Sequence, residues 1–257
     1  MIRVLTILLL LAAPVARADS AADKLTMAGI AEFTNAYKAW DGARFATAAT
    51  LFQQACTNAT ATVTNYYWLG AAEFHRLLEL MGRPASSTNK PATGAALDAA
   101  VDALTQAVKL DGSHAESHAL LGTLYGMKIS DNVLRAAWLG PRVQHELKLA
   151  LATGATNPRV QYLLGMSQFY TALRNASRRE ALTNLLAAEK LFEAEAKVAP
   201  APLEPRWGFD SCLTFIGRTY ESLGQRDKAA EYYRKALAIH PVDHLAREGL
   251  ERVTDRK

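Results

Sequence analysis

The segment LTFIGRTYESLGQRDKAAEYYRKALAIHP, residues 213–241, contains two runs with helical spacing and decides the fold. Small and aromatic side chains recur through it at intervals of three to five residues: Gly217, Tyr220, Gly224, Ala229, Tyr233 and Ala236. An α-helix turns every 3.6 residues, so each run places these residues on one face. Gly224 separates the runs, and Pro241 ends the second because proline cannot donate the helical hydrogen bond. The segment therefore predicts a pair of helices that approach each other closely at Gly217.

The same pattern recurs upstream, so the chain contains an internal repeat. A large apolar residue followed by glycine occurs at Leu69-Gly70, Leu121-Gly122, Leu164-Gly165 and Ile216-Gly217. The four glycines are 52, 43 and 52 residues apart. With its aromatic, alanine and proline positions, the last unit resembles the tetratricopeptide repeat (TPR), whose regular length is about 34 residues. Measured against that length, the spacings leave insertions of about 18, 9 and 18 residues.

The resemblance implies an all-α fold, a TPR-like right-handed α-solenoid of about five helical pairs plus a C-terminal capping helix from about Val242 to Val253. The composition agrees with this expectation, because alanine and leucine dominate and both favour helix. We expect the insertions to interrupt the helices. The pattern predicts a loop from Met81 to Gly94, a break at Leu139-Gly140-Pro141, and a stiff proline-rich connector over residues 199–208.

Residues 1–18 have the pattern of a secretory signal peptide. A basic start precedes an uncharged, largely apolar run from Val4 to Ala13, and small residues end the segment at Ala18. The run is about half the roughly 20 residues that span a bilayer, which favours a cleaved signal over an uncleaved anchor. We therefore expect cleavage after Ala18, a mature TPR-like domain of residues 19–257, and a periplasmic or secreted protein.

Charge and residue types argue against several functional classes. Without the two arginines of the signal segment, 27 basic and 25 acidic residues remain, without the clustering of a nucleic-acid footprint. The pair His114 and His118 has metal-ligand spacing, but His118 falls on a packing position of its repeat. The sequence lacks nucleophile-elbow, phosphate-loop and dinucleotide motifs. We therefore predict no enzyme activity, cofactor, metal site, nucleic-acid partner or membrane span in the mature chain, and free, buried thiols at Cys56 and Cys212.

In a TPR array the first helix of each pair lines a concave surface. Carrying the inner-facing offsets onto this chain predicts an aromatic-lined groove that binds a protein or peptide partner. The predicted groove residues are Phe33, Tyr37, Trp40, Tyr67, Phe74, His75, Arg159, Tyr162, Met166, Phe169, Tyr170 and Arg218.

The pattern leaves other interpretations open. Several of these aromatic residues are equally consistent with packing against the insertions. The same residues, closed over by the segment 81–94, would instead form the pocket of a small-molecule or lipid carrier. An enzyme whose site is built on the insertions and a structural subunit of a secretion or transport assembly are the remaining hypotheses. The partner, the oligomeric state and the role of the segments 81–94 and 199–208 do not follow from the sequence.

Overall fold

A computed structural model describes residues 20–83, 89–129, 132–172 and 174–255, and within these ranges the chain is helical without any strand. The predicted signal peptide lies outside the described residues. The helices are α1 (Ala21–Ala39), α2 (Gly42–Cys56), α3 (Val63–Gly82), α4 (Asn89–Leu110), α5 (Ala115–Ile129), α6 (Val133–Gly154), α7 (Pro158–Thr171), α8 (Asn175–Glu195), α9 (Phe209–Ser222), α10 (Arg226–Ile239) and α11 (His244–Thr254). The predicted all-α arrangement of five pairs and a closing helix is confirmed.

Side-chain caps set several helix starts. Ser20 and Asp23 form a capping box at the start of α1, each side chain bonding the backbone N–H of the other. Asp41, Asn157 and Asp243 accept backbone N–H bonds at the starts of α2, α7 and α11. These bonds satisfy donors that have no partner within the helix, so short polar links suffice between helices.

The predicted glycines lie where the two helices of each pair cross. A Cβ atom on Gly70 would come within 2.5 Å of Leu104, one on Gly165 within 2.7 Å of Leu185, and one on Gly217 within 2.8 Å of the Tyr233 ring. Real Cβ atoms essentially never make such contacts, so only glycine allows these approaches. Gly122 has the same position against α6, with 3.2 Å to the nearest atom.

The first helices of the first four pairs, α1, α3, α5 and α7, start on the same side. Asn65 Nδ2 donates to Thr26 Oγ1 at 2.7 Å, which joins the N-terminal parts of α1 and α3. Tyr67 of α3 donates to Glu116 at the start of α5, and Arg159 Nε at the start of α7 donates to the same carboxylate at 2.8 Å. Because α1, α3, α5 and α7 start on one side, their last residues lie on the opposite side. We call that side the tip edge.

The insertions lengthen helices more than they interrupt them. The expected loop from Met81 to Gly94 is wrong at both ends, because α3 continues to Gly82 and α4 begins at Asn89. The expected break at Pro141 is also wrong, because α6 runs through it for 22 residues. The burial of Leu139 and Val143 on the inward side of α6 offsets the one hydrogen bond that proline cannot donate. The segment between α8 and α9 is the predicted connector.

The last pair folds back onto the first. Tyr37 at the end of α1 donates to Asp210 Oδ1 of α9 at 2.7 Å, and its ring stacks on His240 with centroids 5.3 Å apart. These contacts join residues about 170 to 200 positions apart, so the solenoid is closed rather than open-ended. Cys56 and Cys212 are buried and free, which confirms that prediction. No described helix has the length and apolarity that a bilayer span requires.

We expect Gly70→Ala to destabilise the protein. The added methyl group would meet Leu104, which is fully buried and has no room to move. Overpacking costs about 1–3 kcal/mol, and the better helix propensity of alanine recovers about 1 kcal/mol, so the free energy of unfolding should fall by up to about 2 kcal/mol in urea titrations.

Gly126→Ala is the matched control. Gly126 is exposed in α5, and a Cβ atom there meets nothing within 4 Å. This variant should be as stable as the wild type or more stable by about 0.5–1 kcal/mol. Equal effects of the two substitutions would show that close helix approach at Gly70 does not matter.

Candidate functional site on the inner face

The structure divides the twelve predicted groove residues by exposure. Seven are buried: Phe33, Tyr67, Phe74, His75, Arg159, Tyr162 and Met166. Four are half-buried: Tyr37, Trp40, Phe169 and Arg218. Tyr170 is 64% exposed. The α3 part of the predicted groove is therefore interior, and the most exposed of the twelve residues is Tyr170 of α7, which lies beside the half-buried Phe169 and Arg218.

The connector, residues 196–208, fills the α3 side of the inner face. Trp207 is 4% exposed, its ring lies 4.9 Å from that of His75, and its Nε1 donates to the Tyr67 hydroxyl at 3.0 Å. Trp68 Nε1 donates to the carbonyl of Leu203 at 2.8 Å, where the backbone has a left-handed φ of 65°. On the α3 side, the aromatic residues therefore pack against an insertion, which was one of the interpretations that the sequence left open.

A buried charge network lies beneath the connector. Arg159 is 2% exposed and bonds two carboxylates, Glu116 at 2.8 Å and Glu195 at 3.1 Å from its Nη1. Asn157 Nδ2 donates to Glu116 at 2.7 Å. Burial acts to lower the pKa of Arg159, but the two carboxylates outweigh it and hold the pKa above its usual value. The arginine is therefore a permanent structural cation rather than a free ligand for a partner.

His75 is a neutral packing residue at the centre of the aromatic cluster. Its ring makes edge contacts with Phe33 and Trp207, and its Nδ1 bonds the carbonyl of Ala71 at 2.8 Å. Burial lowers the pKa of His75 from 6.5 to about 4, against smaller opposing effects of the Ala71 bond and the charge of Asp210. The neutral imidazole is thus part of the core.

The closure between the first and last pairs depends on a second histidine. His240 Nδ1 lies 2.8 Å from Asp210 Oδ2, and the other oxygen of that carboxylate accepts from Tyr37. Burial acts to lower the pKa of His240, but the hydrogen bond and charge of Asp210 outweigh it, and the pKa is raised. Sequence reasoning missed both Asp210 and His240, because no local pattern links them to Tyr37.

One cluster on α7 and α9 keeps accessible groups, and we call it the aromatic–arginine patch: the exposed Tyr170 with the half-buried Phe169 and Arg218, which pack on the buried ring of Phe215. The Arg218 guanidinium lies 5.0 Å above the Phe169 ring and 4.9 Å above the Phe215 ring. Arg218 Nη1 donates to the Tyr170 hydroxyl at 3.1 Å. Among the described residues no carboxylate lies within 4 Å of the Arg218 nitrogens. The patch therefore offers a cation held by aromatic rings.

The described cavities are open and polar. One of about 440 Å³ lies between the connector and the starts of α3, α5 and α7, beside Tyr67, His114 and Glu116. Another of about 1100 Å³ lies against α10 and α11. His118 bonds Glu146 at 2.6 Å and the carbonyl of Gly112 at 3.0 Å, so its nitrogens serve packing. Across the described ranges no cluster of three metal-ligating side chains occurs.

We expect His75→Phe to reduce the sensitivity of the protein to acid. The folded-state pKa of about 4 lies below the ordinary 6.5, so acidification favours the unfolded state, which binds the proton first. The stability contributed by neutral His75 is complete above pH 6.5 and is lost as the pH falls towards 4. The difference between these values corresponds to on the order of 3 kcal/mol. Phenylalanine keeps the ring and removes the titrating group.

The measurement is the free energy of unfolding of both proteins at several pH values between 4 and 8. His240 does not obscure the comparison, because its raised pKa makes its contribution fall only as the pH rises above about 6.5. If the wild type and the variant lost stability in parallel between pH 6.5 and 4, this result would contradict the interpretation of His75 as a neutral core residue.

Comparison with known proteins agrees with the helical repeat. The family profile described as Tetratricopeptide repeat matches residues 211–243, and no curated protein matches the chain. A thermophilic TPR protein of Thermus thermophilus has a similar structure at 16% identity, with 91% of this chain and 98% of that chain covered and a TM-score of 0.63. The HusA haemophore of Porphyromonas gingivalis is similar at 18% identity, 78% and 92% coverage and a TM-score of 0.56. The chain thus contains one segment that matches a tetratricopeptide repeat, and its fold is that of a TPR solenoid.

Proposed function

We propose that this protein is a non-enzymatic scaffold of the cell envelope, and that it binds a protein or peptide partner at the aromatic–arginine patch. The observation that carries the proposal is the state of Arg218. Its guanidinium is stacked on aromatic rings and bonded to Tyr170, yet it has no carboxylate partner among the described residues. An arginine in this state is positioned for a carboxylate from another molecule.

The aromatic members of the patch supply area for recognition. Tyr170 is 64% exposed and makes edge contacts with Phe169 and Phe215, at 5.6 and 5.7 Å between ring centroids. Aromatic side chains lose little conformational freedom on binding, and tyrosine and arginine are enriched among residues that dominate binding energy. A segment with an acidic side chain or a terminal carboxylate beside an apolar residue fits this combination of groups.

The connector supports the same type of ligand. It is an irregular, proline-rich segment of the chain itself, and it lies on the inner face with a backbone carbonyl bound by Trp68 and an indole inserted beside His75. The inner surface therefore has the chemistry to hold a non-helical segment through a backbone carbonyl and an aromatic anchor. Since the connector already occupies the α3 side, we assign external binding to α7 and α9.

The envelope setting rests on the predicted signal peptide. Residues 1–18 have the charge and apolar pattern of an export signal, and we propose that the protein acts after cleavage at Ala18, in the periplasm or outside the cell. TPR proteins commonly bind protein partners, and the fold of this chain is compatible with that role.

The test uses the chain from Asp19 onward and an array of short peptides that carry internal or terminal carboxylates beside aromatic or aliphatic residues. We expect Arg218→Ala to weaken binding of the selected peptides by about tenfold to a hundredfold, which is the range for a hydrogen bond to a charged group. Tyr170→Phe should weaken binding less, because it keeps the ring but removes the hydroxyl that holds the guanidinium.

Arg44→Ala is the control for the loss of a positive charge. Arg44 is half-exposed on α2 and pairs with Glu32 at 3.6 Å, away from the patch. It should leave peptide affinity unchanged. Absence of any binding peptide, or equal losses in the Arg218 and Arg44 variants, would overturn the assignment of the patch.

Native mass spectrometry of the same preparation distinguishes the carrier alternative. The HusA protein is a haemophore by its name, and its likeness to this chain concerns the fold. A small molecule that co-purifies in stoichiometric amount and is retained by the Arg218→Ala variant would favour a carrier over a peptide-binding scaffold. A protein free of bound small molecules that binds peptides through Arg218 supports the scaffold.

A further inference from the structure

The outward side of α6 carries an apolar surface that no described helix covers. Val133 is 81% exposed, Leu134 83% and Trp138 64%. The inward side of the same helix is ordinary core, with Leu139, Val143 and Leu147 buried, the last beneath Gly122 of α5. The exposed residues therefore take no part in packing α6 within the third pair.

These residues form one continuous stripe. At about 100° per residue, Leu134, Ala137, Trp138 and Pro141 fall on a single side of the helix, opposite the buried side. All four are exposed. We call this surface, together with Val133 at its start, the α6 stripe. Contiguous exposed apolar patches larger than a few hundred Å² are rare on monomeric proteins and mark protein or membrane interaction sites.

Positive charge lies along one flank of the stripe. Arg135 and Arg142, seven residues apart, are exposed on the same flank, and the Arg142 guanidinium lies 4.4 Å above the Trp138 ring. Neither arginine has a carboxylate within 4 Å in the part of the chain that the structure describes. Glu146 is the one acidic residue of α6, and it is bonded to His118. The stripe therefore combines apolar surface and an indole with two exposed arginines, one of which, Arg135, also donates to the carbonyl of Lys128 at 3.4 Å.

Further exposed apolar and basic side chains lie at the end of the helix pairs where α6 begins. α6 begins at the tip edge, beside the last residue of α5, because Asn132 N donates to the carbonyl of Ile129 at 3.1 Å. Other exposed side chains at the same edge are Met81 near the end of α3 and Tyr170 near the end of α7, at 57% and 64% exposure. Arg174 and Arg179 at the start of α8 are also exposed there. The ends of these helices thus carry further exposed apolar and basic groups.

We propose that the α6 stripe docks the protein onto the surface of an anionic lipid bilayer. The aliphatic residues and Trp138 enter the boundary between headgroups and acyl chains, and Arg135 and Arg142 contact lipid phosphates at its outer margin. Tryptophan is enriched at that depth because its ring is apolar and its N–H is polar. A bilayer matches both features of the stripe, the apolar width and the one-sided positive charge.

The test is vesicle binding by the chain from Asp19 onward, since the apolar run of the signal segment would itself bind lipid. Every described contact lies within residues 20–255, so this chain contains the whole described fold. The probes are phosphatidylcholine vesicles with and without phosphatidylglycerol. We expect binding to the anionic vesicles, a blue shift of tryptophan emission, and weaker binding in added salt. Trp138 is the most exposed of the four tryptophans and should dominate the shift.

Two double variants separate the apolar and charged contributions. Leu134→Ser with Trp138→Ser should reduce the partition coefficient on anionic vesicles by more than about tenfold. Arg135→Gln with Arg142→Gln should reduce it by about tenfold and remove most of the salt dependence. All four side chains are exposed, so circular dichroism melts should match the wild type. Val198→Ser with Ile239→Ser is the control, because these residues are exposed at 64% and 52% but lie outside the stripe.

Three results would overturn the proposal. The first is a stripe variant that binds vesicles as the wild type does, or a control that loses as much. The second is equal binding to vesicles with and without phosphatidylglycerol. The third is absence of vesicle binding. If light scattering then shows a wild-type dimer and a monomer for the Leu134→Ser, Trp138→Ser variant, the stripe is assigned to a second copy of this chain. Peptide binding through Arg218 is measured without vesicles, so its outcome is independent of the vesicle experiment.

Discussion

The close approach of paired helices at glycine is the constraint from which the rest of the architecture follows. Gly70, Gly165 and Gly217 each face a large buried side chain at a distance that a Cβ atom would not permit. This contact sets the separation of the helices within a pair, and stacking of the pairs then places the first helices of the first four pairs side by side with their starts on one side. This arrangement produces both an inner face and a tip edge, and the proposed binding surfaces lie on these two features.

The interior of the solenoid contains several polar and charged side chains that an open groove would leave in contact with water. Once Trp207 and its connector lie over α3, the groups beneath them are removed from water and must be paired or neutral. Arg159 is paired with Glu116 and Glu195, Tyr67 donates to Glu116, and His75 remains neutral. Loss of one member leaves an uncompensated polar group in the core, so we assign these residues to stability and external recognition to the patch on α7 and α9.

The two histidines beside Tyr37 respond to pH in opposite directions. His75 is stabilising only while neutral, whereas His240 is stabilising while protonated beside Asp210. Both lie where the last pair folds onto the first. The contact between these pairs is therefore most stable near the pH at which His75 is neutral and His240 is still protonated. The aromatic–arginine patch and the α6 stripe lie on other helices and contain neither histidine.

Local spacing in the sequence was enough to establish the helix pairs, the glycine crossings, the closing helix and the free thiols, because each depends on residues within a few turns of one another or on contacts between adjacent repeats. It also selected Phe169, Tyr170 and Arg218 by repeat offset, but the same offsets selected the buried Arg159, Tyr162 and Met166, so accessibility did not follow from the offsets. It misjudged the segments around Gly94 and Pro141, since proline and glycine signals were outweighed by burial of neighbouring apolar residues. The burial of Tyr67, Phe74 and His75 was decided by tertiary structure. It depends on Trp207, about 130 to 140 residues away, and on the contact of Tyr37 with Asp210 and His240, and no local pattern encodes which distant segment will cover a given face.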